Sequence, residues 1–223
     1  MLLVLAMALT MAACGAETGN KPVQVKVGTW KTAQTILPYF YDQFVPENYE
    51  LEVLPFTTPG DQKAALLAGE LDMTGTTQVT AIYAAAAGEP YPSDAVLKGD
   101  GRVLSYPYFD DSISTINAGM TVTKDTIKNN PEPVQALVNA HMKAADYLQE
   151  NQDVWFEKAY EFGTTKEIMG ISSQNIERCG DIDEAFIQHT GNLAQKMKEL
   201  GILNEVPDVD AMFDLSFLEN AKK

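Results

Sequence analysis

The chain has 223 residues, with 31 acidic and 16 basic side chains and a formal net charge of −15. Binding to nucleic acid or to an anionic membrane surface requires clustered Lys and Arg, so this charge balance argues against both. Hydrophobic residues make up 45% of the chain and charged residues 21%, which is typical of a soluble globular protein and excludes disorder as a class. A local site can still oppose the net charge, so the charge of any ligand stays open.

The N-terminal residues have the pattern of an exported lipoprotein. Residues 1–13 read MLLVLAMALTMAA and carry no charge. This run is too short to span a bilayer, which needs roughly 20 residues, but it fits the apolar segment of a secretory signal peptide. Ala12 and Ala13 directly precede Cys14 and Gly15, which resembles a bacterial lipobox and implies cleavage before Cys14 and a diacylglycerol on its thiol. The alternative is a buried N-terminal helix or strand.

Strand and helix patterns alternate in the first part of the chain after this segment. Strands are indicated by alternation of apolar and polar residues, and helices by apolar residues at 3.6-residue spacing. The predicted elements are strand 23–28, helix 35–44, strand 49–55, helix 61–68, strand 71–74 and an alanine-rich helix 79–87 that residues 75–77 open. Alternation at this spacing predicts an α/β fold with parallel strands and crossover helices.

The rest of the chain is predicted to be mainly helical. A Pro- and Gly-rich connection at 89–102 cannot hold a parallel β-α-β unit, which needs roughly 30 residues. The further predicted elements are strands 102–106 and 114–123, helices 131–148, 153–162 and 181–200, and a terminal helix or irregular tail at 209–221. The shared core is expected at Val23, Val25, Val27, Leu51, Val53, Leu137 and Val138.

Polar residues follow each of the three predicted parallel strands, at the edge where such sheets bind ligands. The candidate binding residues are Thr29, Trp30, Lys31 and Gln34 in the first loop, Thr57 and Thr58 in the second, and Thr76, Thr77 and Gln78 in the third. Hydroxyls, amides and helix N-termini suit a small anionic or zwitterionic ligand. Trp30 is expected to pack against an organic group and Lys31 to pair with an acid. The alternative is that the threonines only cap helices, with Thr76 capping the third one.

Catalytic and metal-binding motifs are absent from the sequence. It contains no GxSxG, HExxH, GxGxxG or phosphate-binding Gly-Lys-Thr loop, so no enzyme, metal or cofactor is expected. His141 and His189 are not spaced with any cysteine as zinc ligands would be, and His141 is interpreted as a solvated or capped helix residue. Cys179 would be left as a single buried thiol if Cys14 carries lipid.

Four stretches together resemble the solute-binding proteins of ABC importers, in the group that serves nitrate, sulfonates, taurine and thiamine precursors. They are VKVGTWKTAQTILPYFY, LPFTTPGDQKAALLAGELDMTGTTQVTAIYAAAAGEP, EPYPSDAVLKGDGRVL and NAGMTVTKDTIKNNPEPVQALVNAHMKAADYLQEN. The resemblance implies a periplasmic-binding-protein-like lobe with a mostly parallel sheet and a helical C-terminal part. It also implies capture of a small-molecule solute without covalent chemistry, a permease partner, and a monomer held by its lipid on the extracytoplasmic side of the cell membrane.

The resemblance also indicates that one lobe is missing. Members of this group carry a second α/β lobe where residues 89–102 stand here. The implied organisation is a signal peptide (1–13), a lipidated cysteine and tether (14–22), an N-terminal α/β segment of the first lobe (23–88), the connection (89–102), and return strands with C-terminal helices packed on that lobe (103–223). Two alternatives stay open: a truncated lipoprotein without solute binding, and a lipoprotein sensor or enzyme on the same fold.

Overall fold

The computed structural model describes residues 21–32, 35–77, 118–176, 178, 180–201 and 203–223. Several predictions fall outside the described residues. They are the lipidation site Cys14, the polar residues Gln34 and Gln78, the helix 79–87, the connection 89–102, the strand 102–106 and the thiol of Cys179.

One four-stranded sheet organises the described chain, with strand order β2–β1–β3–β4. The strands are β1 Val23–Thr29, β2 Tyr49–Pro55, β3 Met73–Thr77 and β4 Ala118–Thr121. β1 is parallel to both β2 and β3, and β4 is antiparallel to β3. The predicted mixture of strands and helices with a mostly parallel sheet is therefore confirmed, and the carboxyl ends of the three parallel strands lie at one edge.

Seven α-helices occur in the described residues. They are α1 Pro59–Leu67, α2 Lys124–Asn129, α3 Pro131–Glu150, α4 Gln152–Glu161, α5 Lys166–Ser172, α6 Glu184–Glu199 and α7 Ser216–Ala221. The helices predicted from 61, 131, 153 and 181 are confirmed to within three residues at their starts. The open alternative for 209–221 resolves as the 3-10 turn Asp210–Met212 followed by α7. No helix in the described ranges is long and apolar enough to cross a bilayer.

The prediction of an α-helix at 35–44 is wrong in type. Leu37–Gln43 forms a 3-10 helix with Pro38 in its first turn. The amide of Tyr39 donates to the carbonyl of Ile36 at 3.0 Å, three residues back. Pro38 is compatible with the first turn of either helix type, and the observed bonds span three residues, as in a 3-10 helix.

The main core lies between the sheet and the helices that follow it. Val25, Val27 and Leu137 are buried there, as predicted, and Leu51 and Val138 pack against them half-buried. Three fully buried alanines of α3 belong to the same core, and the helix packs there against the 3-10 helix Leu37–Gln43; they are Ala140, Ala144 and Ala145. Val53 is only half-buried. The placement of Val23 in the core is wrong, because this first strand residue is 45% exposed at the rim of the sheet.

The opposite face of the sheet carries α1. Ala65 and Leu66 of this helix pack with Leu71, and Leu54 and Phe56 border them. Gly69 ends the α1 region with φ of +75°, a left-handed conformation that glycine adopts without steric cost. α1 thereby fills the crossover between β2 and β3, and its N-terminus begins next to the carboxyl edge of the sheet.

Candidate functional site

The first two predicted loops meet at the carboxyl edge of the sheet. Thr29 ends β1 opposite Pro55, the last residue of β2. The amide of Phe56 donates to the carbonyl of Thr29 at 2.8 Å, so the backbone contact continues past both strands. β3 pairs with β1 through Thr74 opposite Gly28 and continues to Thr77, which carries the third loop beyond the end of β1. Parallel topology thus brings the three sequence-predicted loops to one edge.

Threonine hydroxyls hold the first loop in shape. Thr29 is fully buried and its Oγ1 donates to the carbonyl of Thr35 at 2.7 Å. Thr35 in turn donates to the carbonyl of Trp30 at 3.0 Å, and its hydroxyl lies 2.8 Å from that of Thr32. These bonds satisfy backbone groups that a surface loop would otherwise leave to water. In the described structure, therefore, the buried Thr29 hydroxyl stabilises the backbone of the loop.

Trp30 and Lys31 are the other candidate ligand residues of this loop that the structure describes. Trp30 is half-buried, and its indole Nε1 is sealed from water without a hydrogen-bond partner among the described residues. A buried donor without a hydrogen bond costs about 1–3 kcal/mol, so donors of this kind are rare in folded proteins. Lys31 is exposed. An indole N–H and an ammonium group next to each other in sequence are both donors, and both favour an acceptor-rich ligand.

The second loop combines an exposed residue with a helix cap. Thr57 and Thr58 are both exposed. Thr58 caps α1: its hydroxyl accepts from the amide of Asp61 at 3.2 Å and donates to the Asp61 carboxylate at 2.7 Å. The capping alternative therefore describes Thr58 in this structure, whereas the side chain of Thr57 faces solvent at the edge.

The third loop begins later than predicted. Thr76 and Thr77 are the last residues of β3, paired with Gly119 and Ala118 of β4, and the helix 79–87 predicted to follow them lies outside the described residues. The strand also starts at Met73 instead of residue 71. The antiparallel pairing with β4 supplies the ladder bonds that extend the strand, and this partner is remote in sequence.

The charge of the loops differs from that of the whole chain. Residues 28–34, 57–60 and 75–78 contain one lysine and no aspartate or glutamate, although the protein carries a net charge of −15. These hydroxyl, indole and ammonium groups can donate to an anion, and the Asp61 carboxylate that adjoins the second loop accepts from the Thr58 hydroxyl at 2.7 Å. The described residues contain no group of three or more side chains that would hold a metal ion.

Two residues that were not among the predicted site residues connect the bases of the three loops. The amide of Gln62 and the hydroxyl of Thr74 are buried beneath the edge and bonded to each other. A glutamine spaced with Ala65 and Leu66 on the apolar face of α1 was the available signal, because a buried amide needs a partner.

His141 departs from its interpretation as a solvated or capped helix residue. Its ring is half-buried between α3 and the 3-10 helix, and Nδ1 lies 2.5 Å from the hydroxyl of Tyr41. Burial lowers the pKa of His141 to about 4, so the ring is neutral at physiological pH. The structure gives it a partner inside the protein and no position among the three loops.

A cavity of about 1180 Å³ borders β3, β4, α1 and α3. Its lining is mostly apolar and includes Gly75 of β3 and Ala118, the residue that directly follows the undescribed residues 78–117. None of Thr29, Trp30 or Thr57 lines it. The cavity therefore adjoins the base of the candidate site through Pro59, Gln62, Thr74 and Gly75, whereas Trp30, Lys31 and Thr57 lie outside its lining.

Comparison with known proteins adds a family model and several solved structures. The model of the NMT1-like family matches residues 64–155. The sequence matches none of the curated proteins. The periplasmic aliphatic sulphonate binding protein SsuA from Escherichia coli superposes with a TM-score of 0.66, at 10% identity over 86% of this chain and 92% of that one.

Two further solved structures have a similar fold. The alkanesulfonate-binding protein SsuA from Xanthomonas axonopodis pv. citri, bound to MOPS, has a TM-score of 0.57 at 11% identity over 85% of this chain and 96% of that one. The ligand-binding component of an ABC-type import system from Staphylococcus aureus has a TM-score of 0.60 at 11% identity, covering 89% and 99% of the two chains. The chain therefore has an α/β fold of the periplasmic-binding-protein type.

Proposed function

We propose that the chain is the extracytoplasmic solute-binding component of an ABC importer, and that it captures a small anionic or zwitterionic solute. The observation that carries the proposal is the carboxyl edge of the sheet, where three loops rich in donors and free of carboxylates come together in a strongly acidic chain. α/β sheets bind their ligands at this edge. The resemblance to the nitrate and sulfonate group, the NMT1-like match and the sulfonate-binding structures support the same class of solute.

The chemistry is binding without bond making. The ammonium group of exposed Lys31 neutralises the anion, and the half-buried ring of Trp30 covers an organic group. Thr57 adds a hydroxyl donor, Thr76 and Thr77 are proposed contacts from their place at the end of β3, and the partial positive charge of the α1 N-terminus is offset by Asp61 in its first turn. Sulfonates meet these demands because they present several acceptor oxygens on an apolar body.

Ligand-dependent stabilisation tests the proposal directly. Thermal shift and calorimetry with MOPS, ethanesulfonate, taurine, nitrate, pyrimidines and amino acids should give a rise in Tm with at least one sulfonate, since a ligand of the folded state stabilises it by mass action. Lys31→Met should weaken that binding about tenfold, the worth of one charge-assisted hydrogen bond. Lys143→Met, at an exposed position on α3, is the matched control. Absence of any shift would favour the truncated lipoprotein without solute binding.

Tryptophan fluorescence places the ligand. The chain has two tryptophans, so Trp155→Phe leaves Trp30 as the single reporter and Trp30→Phe leaves Trp155. MOPS should change the emission of the Trp155→Phe protein and leave that of the Trp30→Phe protein unchanged. A response confined to Trp155, which is buried in α4, would place the solute away from the loops and contradict the site.

The cellular setting belongs to the same proposal. Cleavage before Cys14 and lipidation of its thiol would hold the protein on the extracytoplasmic face of the membrane, where a permease partner receives the solute. Residues 89–102 would form an exposed connection where related binding proteins have their second lobe. The chain would then bind as a monomer with an open ligand face.

A further inference from the structure

A chain of buried hydrogen bonds runs beneath the three loops. Gln62 lies on the face of α1 that meets the sheet and is 2% exposed. Its side-chain Nε2 donates to the hydroxyl of Thr74 and, at 2.8 Å, to the carbonyl of Gly75. One amide of α1 therefore contacts two consecutive residues near the end of β3.

Thr74 extends this chain of hydrogen bonds to β1. Its Oγ1 donates to the carbonyl of Gly28 at 3.1 Å, and Thr74 is itself 4% exposed. A Cβ atom at Gly28 would lie 2.7 Å from that hydroxyl, so the bare glycine is what lets the two groups meet. The path Gln62–Thr74–Gly28 joins α1, β3 and β1.

The residues bonded along this path lie next to the three candidate ligand-binding loops. Gly28 precedes Thr29 and Trp30, Gly75 precedes Thr76 and Thr77, and the helix of Gln62 begins directly after Thr57 and Thr58. A leucine or methionine at position 62 would satisfy the packing with Ala65 and Leu66 without needing buried partners. The amide instead connects α1 with β3 and, through Thr74, with β1, and buried hydrogen-bond networks of this kind make local structure rigid.

We propose that Gln62 is a positioning residue that holds the three loops in a fixed arrangement and thereby sets the affinity for the solute. The affinity part rests on the function proposed above, whereas the ordering of the strand ends does not. Holding donors in place before binding lowers the entropy lost on binding, which is why loosening a site weakens affinity even when no contact group is removed.

Gln62→Met tests the inference, because it keeps length and removes the donor. Hydrogen exchange followed by mass spectrometry should show faster exchange in peptides covering 28–31 and 74–77, and Kd for MOPS should rise about tenfold, as for loss of one buried hydrogen bond and its neighbours' order. Thr165→Ala is the control for stability: it removes the N-cap bond of α5, remote from the sheet, and should leave both readouts unchanged.

Thr74→Val separates the two links of the path and serves if Gln62→Met does not fold. It cuts the bond to Gly28 and leaves the bond from Gln62 to Gly75, so exchange should rise at 28–31 and stay low at 75–77. The effects of the two substitutions on Kd should fall short of additivity, because both break one network.

The two proposals fail in different ways. If the wild-type protein binds no sulfonate, the proposed function is wrong and the exchange data still decide the ordering role of Gln62. Unchanged exchange at both strand ends in Gln62→Met, or a Kd no higher than that of Thr165→Ala in a protein that binds MOPS, would overturn the inference.

Discussion

The imidazole of His141 is held against Tyr41 in the main core. Burial raises the pKa of the Tyr41 hydroxyl well above its ordinary value and lowers the pKa of His141 to about 4. The neutral ring can accept the hydroxyl proton at Nδ1, whereas a protonated ring cannot. The free energy of unfolding is therefore expected to depend on pH through His141.

Stability should fall as pH drops from about 6.5 to about 4. In that window the unfolded chain, with an ordinary histidine pKa of 6.5, binds a proton that the native His141 excludes, so the free energy of unfolding rises with pH and is lost on acidification. The difference between the two pKa values corresponds to at most about 3 kcal/mol. Urea unfolding at a series of pH values measures it.

His141→Asn supplies the control for this pH dependence. The variant lacks the titrating ring, so its stability should depend less on pH between 6.5 and 4, although carboxylates contribute equally to both proteins. Two parallel stability curves would show that protonation of His141 does not oppose folding.

At the scale of the elements, the packing between β1 and β3 leaves no room for a side chain at Gly28. A Cβ atom there would lie 2.6 Å from Leu71 Cδ1 and 2.7 Å from Thr74 Oγ1. The leucine tip can rotate away, but the hydroxyl is held by its bonds to Gln62 and to the Gly28 carbonyl. A side chain at this position must therefore disturb the sheet or break the network.

Gly28→Ala should lower the free energy of unfolding by about 1–3 kcal/mol, the usual cost of overpacking. Gly191→Ala is the matched control, since a Cβ there meets no described atom within 4 Å and lies inside α6. That substitution should raise stability by up to about 1 kcal/mol, because alanine is the better helix former. Denaturant titration of both variants decides the matter, and equal effects would contradict the close contact at Gly28.

The junction of α3 and α4 depends on Trp155. This side chain is 1% exposed, and the Arg178 guanidinium stacks on its ring at 3.8 Å while Nη2 donates to the carbonyl of Leu148 at 3.0 Å. Among the described residues Nε and Nη1 of Arg178 have no partner, and burial lowers the pKa of its guanidinium. The aromatic ring and the end of α3 are thus the described groups that stabilise this buried cation.

Trp155→Ala should cost about 3–5 kcal/mol, the range for a fully buried aromatic residue. Trp30→Ala should cost less, because Trp30 is only half-buried at the edge of the sheet. Equilibrium unfolding in urea compares the two variants. A larger loss from Trp30→Ala would mean that the first loop, and not the helix junction, is the stronger structural element.

For the whole molecule, the proposed single lobe with an open face predicts weak binding. Small-molecule sites usually bury about 70–90% of a drug-sized ligand, and a single wall leaves more of it in water. Calorimetry should give a Kd for the best sulfonate above the micromolar range, with sedimentation confirming a monomer. Submicromolar binding by the monomer would contradict the single-lobed proposal.

Export predicts a defined mature N-terminus. Protein extracted from membranes of the native host should lack residues 1–13 and carry the added mass of a lipid on Cys14, whereas Cys14→Ser should appear unprocessed. Intact-mass measurement reads both changes at once. A mature chain that still begins at Met1 would rule out the lipoprotein.

Much of the fold was predictable from the sequence because its signals are local. Alternation over 49–55 gave the exact bounds of β2, and apolar spacing from Pro131 located α3. The order of strands and helices then implied parallel pairing, and parallel pairing placed the three loops at one edge. Each step needs only neighbours along the chain and a general rule of topology.

Tertiary structure decided the features whose partners are remote in sequence. Thr74 finds the Gly28 carbonyl 46 residues away, and Tyr41 finds His141 across 100 residues. β3 extends to Thr77 because β4 pairs with it, and Thr29 is buried because the loop folds back over it. Hydrophobic periodicity indicates which face of an element is apolar. Only tertiary packing determines which polar side chain on that face finds a hydrogen-bond partner. For this physical reason the roles of Gln62 and His141 were not predicted from the sequence.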